Sequence, residues 1–369
     1  AYIRQLCCLG LGGQIVIPAV LQQLHTLVSS YGNTFFWIDD QHQIVNMYDE
    51  TSMDPGLISR YLQEYVDKAE QEVMPSVSEW LRTGGEITTT ERFVSRRFYE
   101  SALYHEIFHP LRYHHTAYVF VREQERILGI LALHRAPGES RYTAREERLL
   151  VSLIPYLAHA LHGPEEGPYE VIEGRETGLL VFHPSGRLEY LSRQGSRLLF
   201  LATHPRVSAQ TVRPARGPLR VPADLVRLCQ VLQGVFNGDP HADRPPVWHH
   251  RNPWGQFTFR AYWLEPLQGE QGLIGITVQR HEPVLLSALR QMQALGLSAR
   301  EMEVGMGVFR GLAPPEIAGQ LYLSVHTVLD HIRRLYSKLG VHSREELVKV
   351  LLQRKPGEGG EAAIYASPK

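Results

Sequence analysis

Residues 323–340 read LSVHTVLDHIRRLYSKLG, and they decide the fold of the C-terminal end of this 369-residue chain. Ser324 is of the residue type that caps the N-terminus of a helix, and Gly340 is of the type that ends a helix in a left-handed conformation. Apolar side chains recur between them at spacings of four, three and four, at Val328, Ile332, Leu335 and Leu339. This pattern predicts one amphipathic helix with a single buried stripe.

Three more helices are predicted on either side of this one. Ser298 and Glu301 have the spacing of a capping box, in which each side chain satisfies an amide of the first helical turn. Pro314 suits the first position of a short helix, where proline loses no hydrogen bond. Ser343–Glu346 repeats the capping-box spacing. The sequence therefore predicts an all-α four-helix domain over residues 297–354.

The polar side of the central helix carries basic and hydrogen-bonding side chains. Such a face can lie along phosphates and reach base edges in a major groove. The candidate DNA-binding residues are Ser324, His326, Thr327, Leu329, Asp330, His331, Arg333, Arg334 and Lys338. Asp330 cannot help with phosphates because it is acidic, although a carboxylate can accept a hydrogen bond from a cytosine amino group.

Residues 297–354 resemble the LuxR-type helix-turn-helix family in unbroken register. The matching residues are Leu297, Arg300, Glu301, Val304, Gly311, Glu316, Ile317, Ala318, Leu321, Ser324, Thr327, Val328, His331, Lys338, Leu339, Gly340, Val341, Ser343, Arg344, Glu346 and Leu347. The resemblance implies a helix-turn-helix DNA-binding domain that dimerises through its fourth helix. It also implies a recognition helix that begins near Val325.

This sequence departs from that family at four positions. Leu329 stands where the family usually has a lysine after Thr-Val, and acidic Asp330 follows it. Gly305 and Gly307 replace larger residues in the first helix, and each glycine costs about 1 kcal/mol of helix stability relative to alanine. These departures favour DNA binding that is weak, dependent on a ligand, or unusual in the sequence it selects.

Residues 1–162 are predicted to form an α+β module that resembles a GAF sensor domain. Its elements are a helix, a hairpin, helices, a second hairpin and a closing helix, at 14–31, 35–48, 55–82, 118–134 and 143–161. Asp39 and Asp40 lie at the turn of the first hairpin. Thr143 and Glu146 have capping-box spacing at the start of the closing helix.

The remaining segments complete an α+β multidomain fold. Residues 163–174 are predicted to be a linker because they include the Gly/Pro-rich stretch GPEEGP. Residues 175–280 have the predicted order β-β-α-α-β-β, which resembles a PAS sensor domain. Residues 281–296 are predicted to form a connector helix. Residues 355–369 have too little apolar content to fold and are expected to be disordered.

Two histidines in the first module are candidate metal ligands. His105 and His109 are four residues apart on a predicted helix, a spacing that can direct two imidazoles at one metal. The same spacing also suits a plain amphipathic helix in a histidine-rich protein. No catalytic set is present, so we expect no enzymatic activity, and no cofactor is assigned.

Bulk properties restrict the class of protein. The formal net charge is −1, so any affinity for nucleic acid must be local. The three cysteines, Cys7, Cys8 and Cys229, form no disulfide framework and fit a reducing cytoplasm. The apolar stretch at residues 6–21 is too short and interrupted to cross a membrane.

Together these features predict a cytoplasmic, homodimeric transcription regulator that binds double-stranded DNA. Its N-terminal modules would respond to a small-molecule effector or a partner that the sequence does not identify. The alternative is a ligand- or metal-sensing protein that acts mainly through protein–protein contacts.

Overall fold

The computed structural model describes residues 1–66, 68–76, 79–80, 85–163, 169–212, 221–237, 245–267 and 272–352. The protein is mixed α/β, with two antiparallel sheets and a C-terminal helical region. Two compact units share the chain: the first contains residues 6–168 and 176–280, and the second contains residues 1–5, 169–175 and 281–369. The predicted tail, and residues 164–168 of the predicted linker, lie outside the described residues.

The first sheet has five strands in the order β2-β1-β5-β4-β3. These strands are β1 Gly32–Ile38, β2 Ile44–Asp49, β3 Ile87–Thr89, β4 His115–Glu123 and β5 Arg126–Arg135. Both predicted hairpins are confirmed, whereas the short strand β3 was not predicted. In the first hairpin, Asp39 Oδ1 accepts hydrogen bonds from the amides of Gln41 and Gln43 at 2.9 and 2.8 Å. Asp39 therefore builds the turn, as expected.

The helices within residues 1–161 are α1 Tyr2–Cys7, α2 Gly13–Leu24, α3 Pro55–Arg60, α4 Arg96–Tyr99, α5 Ala144–Val151 and α6 Ile154–Leu161. The helix predicted at 14–31 is shorter than expected, since α2 ends at Leu24. The helix predicted at 55–82 is interrupted after α3, because a π-helical turn at Tyr61–Tyr65 follows and the backbone becomes extended at Val66. Residues 67, 77–78 and 81–82 of that prediction lie outside the described residues. The predicted closing helix is split into α5 and α6, since Pro155 has no amide to continue the helical ladder.

The second sheet also has five strands, in the order β7-β6-β10-β9-β8. The strands are β6 Val171–Phe182, β7 Leu188–Leu191, β8 Val247–Asn252, β9 Gly255–Leu264 and β10 Leu273–Pro283, with helices α7 Arg193–Thr203 and α8 Ala223–Phe236. The predicted order is confirmed apart from β8, which was missed. Phe257 and Phe259 of β9 are fully buried together with Ile274, Ile276 and Val278 of β10. They fill a core, which is the expectation for alternating residues of a strand.

The C-terminal region is helical. Its elements are α9 Val284–Ala294, α10 Ala299–Phe309, α11 Pro314–Leu321, α12 Val325–Leu339 and α13 Arg344–Leu352. The prediction that the connector helix begins at His281 was wrong, because His281–Pro283 end strand β10. Residues 1–5 pack in the same unit, where the Gln5 amide donates to the Ala299 carbonyl oxygen at 2.8 Å.

Capping explains where these helices begin. The Ser298 and Glu301 capping box is confirmed at the start of α10. At α13 the Glu346 amide donates to Ser343 Oγ at 3.2 Å, as predicted. The Glu346 carboxylate, however, accepts from the His342 amide at 2.7 Å rather than from Ser343. The predicted stripe on α12 is fully buried at Val328 and Leu335 and half-buried at its other two members.

The two glycines of α10 are expected to respond differently to alanine. A Cβ at Gly307 would lie 2.8 Å from Cγ1 of Ile317, which is fully buried, so this neighbour must move. A Cβ at Gly305 would lie 3.3 Å from Leu335 Cδ2 and from Met292 Sδ, which are ends of flexible side chains. Gly307→Ala should destabilise the domain by about 1–2 kcal/mol, because overpacking exceeds the gain in helix propensity.

Gly305→Ala serves as the matched control. It should leave stability unchanged or raise it by up to about 1 kcal/mol. Urea unfolding followed by circular dichroism measures both variants. Equal effects of the two substitutions would contradict the close approach of α10 and α11 at Gly307.

Candidate nucleic-acid interface

A tight turn connects α11 to α12. Residues 322–324 separate the two helices, and Tyr322 has a left-handed backbone with φ of 54°. Ser324 then caps α12, because its Oγ accepts a hydrogen bond from the Thr327 amide at 3.1 Å. Gly340, with φ of 66°, ends the helix as predicted. The result is a helix-turn-helix whose second helix is α12.

One stripe of α12 points directly away from the buried stripe. His326, Asp330 and Arg333 follow one another at spacings of four and three, and their side chains are 81%, 41% and 69% exposed. Arg333 Nη1 donates to Asp330 Oδ1 at 2.8 Å, and His326 Nε2 lies 3.5 Å from Asp330 Oδ2. The Asp330 carboxylate therefore offsets the positive charge of Arg333 on this face.

Arg334 lies beside that stripe and is exposed. Within the part of the chain that the structure describes, its guanidinium forms no ion pair and remains available for a phosphate or a base edge. Ser324 is exposed near the start of the helix, whereas three of the predicted contact residues are half-buried: Thr327, Leu329 and His331.

Lys338 bonds within its own domain. Its Nζ donates to the Gly296 carbonyl oxygen at 2.8 Å and to Glu301 Oε2 at 3.2 Å. The Ser298 amide, with a smaller contribution from Lys338, holds the pKa of Glu301 below its usual value. Lys338 therefore joins the C-terminal end of α12 to the start of α10.

These bonds predict a structural effect for Lys338→Met. The variant should lose about 0.5–1 kcal/mol of stability, a small loss because the pair is partly exposed. Its affinity for DNA should fall less than that of a variant lacking Arg334. Thermal unfolding and gel-shift titration of both variants test this, and a larger loss of DNA affinity for Lys338→Met would contradict it.

Residues 295–351 match the family described as bacterial regulatory proteins, luxR family. The C-terminal domain belongs to the luxR family. The probable transcriptional regulatory protein NarL of Mycobacterium tuberculosis is 39% identical to this chain over 84 residues, which are 23% of this chain and 35% of that protein. The oxygen regulatory protein NreC of Staphylococcus aureus is 41% identical over 59 residues, which are 16% of this chain and 27% of that protein.

The similarity to these relatives is confined to part of each chain, since the match covers 27–35% of their length. Solved structures are more distant. The Escherichia coli DhaR(N)–DhaL complex has a TM-score of 0.23 and 10% identity over 72% of this chain and 86% of that chain. The Vibrio cholerae VqmA–ligand–DNA complex has a TM-score of 0.18 and 18% identity over 57% of this chain and 88% of that chain. Scores this low support no conclusion about the present fold.

The luxR-family domain thus confirms the resemblance seen in residues 297–354, while the GAF and PAS resemblances remain predictions. Sequence reasoning missed two exposed residues of the helix-turn-helix, one in its turn and one on α12. Tyr322 is 96% exposed, and no pattern signals its left-handed turn. Ser337 is exposed four residues after Arg333 on the outward stripe, and continuing the spacing of that stripe would have found it.

The two candidate metal ligands lie outside the luxR-family domain. His105 and His109 are exposed, and their ring centroids are 6.3 Å apart. Between them, Glu106 accepts a hydrogen bond from the Tyr65 hydroxyl at 3.0 Å. The described residues contain no group of three His, Cys, Asp or Glu side chains placed to hold a metal ion. A metal role for the two histidines stays a prediction.

A search of the described helices for membrane spans found none that combines sufficient length with sufficient apolar character.

Proposed function

We propose that this protein is a sequence-specific, DNA-binding transcription regulator that acts as a homodimer in the cytoplasm. Residues 297–354 bind double-stranded DNA through α12. Residues 1–162 and 175–280 are GAF-like and PAS-like sensor modules that respond to a small molecule or a partner. An input to these modules changes the dimer through the α9 connector, and with it the half-site spacing that two recognition helices can reach.

The observation that carries this proposal is the exposed face of α12 in a luxR-family domain. The helix begins at a capped Ser324, its apolar stripe is buried against the domain, and Arg333 and Arg334 are exposed on the other side. Arginine suits this position because its planar guanidinium donates two parallel hydrogen bonds to a phosphate or to guanine. The Asp330 carboxylate on the same face accepts from a cytosine amino group, which favours a site containing C·G pairs.

The decisive variant is Arg334→Ala. We expect it to lose at least about 1 kcal/mol of affinity for the cognate site, because Arg334 is an exposed cation without an internal partner in the described structure. If Arg334 contacts a phosphate, the slope of log affinity against log salt should also fall by about one. Arg145→Ala is the matched control, since Arg145 is exposed and lies outside α12, in the unit formed by residues 6–168 and 176–280.

Footprinting on genomic fragments at low salt identifies the cognate site before the titration. Absence of protection at any specific sequence, with and without cell extract, would contradict DNA binding. It would favour the alternative of a sensor that acts through protein–protein contacts. Equal affinities of Arg334→Ala and Arg145→Ala would contradict the assignment of α12 as the DNA-contacting helix.

A further inference from the structure

A cavity of about 50 Å³, partly open to the protein surface, lies on one face of the first sheet. Side chains of the sheet form its floor. Its cover consists of α3, the π-helical turns at Tyr61–Tyr65 and Tyr104–Phe108, and residues 111–113, which follow the second turn. Thr34, Asp49, Tyr113 and His134 line its polar end, and Phe36 and Tyr61 are among its aromatic lining residues. Single π-helical turns are rare and are frequent at functional sites, and two of them border this cavity.

The polar end of the cavity is built around Asp49, whose side chain is buried. Thr34 Oγ1 donates to Asp49 Oδ2 at 2.6 Å, and the Tyr113 hydroxyl donates at 2.9 Å. The amides of Thr51 and Ser52 donate to Asp49 Oδ1 at 2.9 and 2.7 Å. These four donors are all uncharged, so they orient the carboxylate without cancelling its charge.

His134 extends this network without contributing a charge. The Thr34 hydroxyl donates its one hydrogen to Asp49. The Nε2–H group of His134 must therefore donate to Thr34 Oγ1, at 3.0 Å. Nδ1 then carries no hydrogen and accepts from Thr116 Oγ1 at 2.9 Å. Burial lowers the pKa of His134 to about 3, so the ring is neutral near neutral pH. It stacks on Tyr113 with ring centroids 3.7 Å apart.

The rest of the cavity wall is apolar and aromatic. Asp49 is the one acidic residue among the described residues that line it, and no lysine or arginine lines it. Burial raises the pKa of Asp49, against the opposing effect of its hydrogen bonds. A buried carboxylate is costly unless an opposite charge pairs with it, and aromatic faces also attract cations.

We propose that this cavity binds a small organic ammonium ion, with its positive charge beside Asp49 and its carbon body against the aromatic wall. This inference deepens the proposed function, because it names the class of effector that the first module would sense. A carboxylate or phosphate ligand is excluded by repulsion from Asp49. A neutral ligand of the same shape fits the apolar wall but leaves the charge of Asp49 unmatched.

The volume limits the size of the ligand. One water needs about 10–15 Å³ of such space, so the cavity has room for roughly four waters. A ligand of about five non-hydrogen atoms therefore fits. Isobutylamine, isobutanol and isobutyrate have the same branched carbon skeleton and differ in the charge of the polar end.

The experiment measures binding of these three compounds to the full chain by calorimetry and by the shift in thermal unfolding. Isobutylamine, which is protonated near neutral pH, should bind about tenfold tighter than isobutanol, a difference of one decade in Kd. It should also raise the melting temperature, as any ligand of the folded state does. Isobutyrate should not bind. Equal binding of the amine and the alcohol, stronger binding of the carboxylate, or no binding of the amine would overturn the proposal.

Variants show whether binding occurs in this cavity. Asp49→Asn removes the charge at nearly constant size and should abolish the preference for the amine. Because Asp49 is buried, that variant could fail to fold, so Leu57→Phe provides a second route. Leu57 lines the cavity and is half-buried, and the larger side chain should fill the space and abolish binding. Leu27→Phe, at an exposed position away from the cavity, should bind like the unaltered protein.

Gel-shift assays with and without isobutylamine separate this inference from the proposed function. Specific DNA binding without amine binding would overturn the cavity assignment alone. Amine binding without specific DNA binding would overturn the proposed function and leave the cavity assignment standing.

Discussion

Trp254→Ala is expected to destabilise the unit formed by residues 6–168 and 176–280 by about 3–5 kcal/mol, the usual cost of removing a large buried side chain. Trp254 lies between β8 and β9 and is fully buried. Its ring centroid is 5.9 Å from that of Trp37 and 5.7 Å from that of Tyr48, both of which belong to the first sheet. Its Nε1 also donates to the His204 carbonyl oxygen at 2.9 Å.

Trp254 therefore joins the two sheets, and its loss should affect how they unfold. Polar contacts act at the same junction: Gln14 Nε2 donates to the Pro205 carbonyl oxygen, and the Val207 amide donates to Asn46 Oδ1, both at 2.8 Å. We expect the two sheets of the unaltered protein to unfold in a single transition. In Trp254→Ala that transition should move to lower temperature and separate into two.

Trp248→Ala is the matched control for this experiment. Trp248 is half-buried on β8 and stacks on Phe259 of the neighbouring strand, with ring centroids 4.7 Å apart. Its loss should weaken the second sheet without separating the two. Calorimetry and far-ultraviolet circular dichroism on both variants provide the comparison. A loss for Trp254→Ala no larger than for Trp248→Ala would contradict the role of Trp254 at the junction.

Features that depend on neighbours in sequence were predicted well. The Ser298 and Glu301 capping box, the turn at Asp39 and the end of α12 at Gly340 each depend on a few consecutive residues. The burial of Val328 and Leu335 follows from helical spacing alone. The luxR-family domain is dominated by such signals, which explains why its helices could be placed before the structure was known.

Features that depend on distant residues could not be predicted. Trp37 and Trp254 are 217 positions apart (254 − 37), and periodicity does not show which buried faces pack together. The Lys338 bond to the Gly296 carbonyl oxygen crosses 42 positions, so the sequence does not show that this predicted DNA contact also bonds within its own domain. The hydrogen-bonded position of Asp49 could not be predicted, because its four donors come from three separate stretches of chain.

Acid is expected to destabilise the protein through His134. In the folded protein burial lowers the pKa of His134 to about 3, whereas an unfolded histidine has a pKa near 6.5. Below about pH 6.5 His134 binds a proton in the unfolded chain but not in the folded protein. The contribution of this residue to stability is therefore greatest above about pH 6.5 and falls as the pH drops towards 3. Between about pH 7 and pH 4.5 the loss from this residue should be about 2–3 kcal/mol, at 1.36 kcal/mol for each unit.

His134→Gln isolates this effect, because glutamine has no proton to gain in this range. The variant should be less stable near neutral pH, since it loses the stacking on Tyr113 and part of the hydrogen bonding to Thr34 and Thr116. Its free energy of unfolding should nevertheless fall less steeply as the pH is lowered. Plots of that free energy against pH for the variant and for the unaltered protein should therefore converge at low pH. His109→Gln, at an exposed histidine, should keep the steep dependence of the unaltered protein. Parallel plots of unfolding free energy against pH for His134→Gln and the unaltered protein would show that His134 is protonated in the fold, and the hydrogen bond between Thr116 and His134 Nδ1 would then have to be reversed.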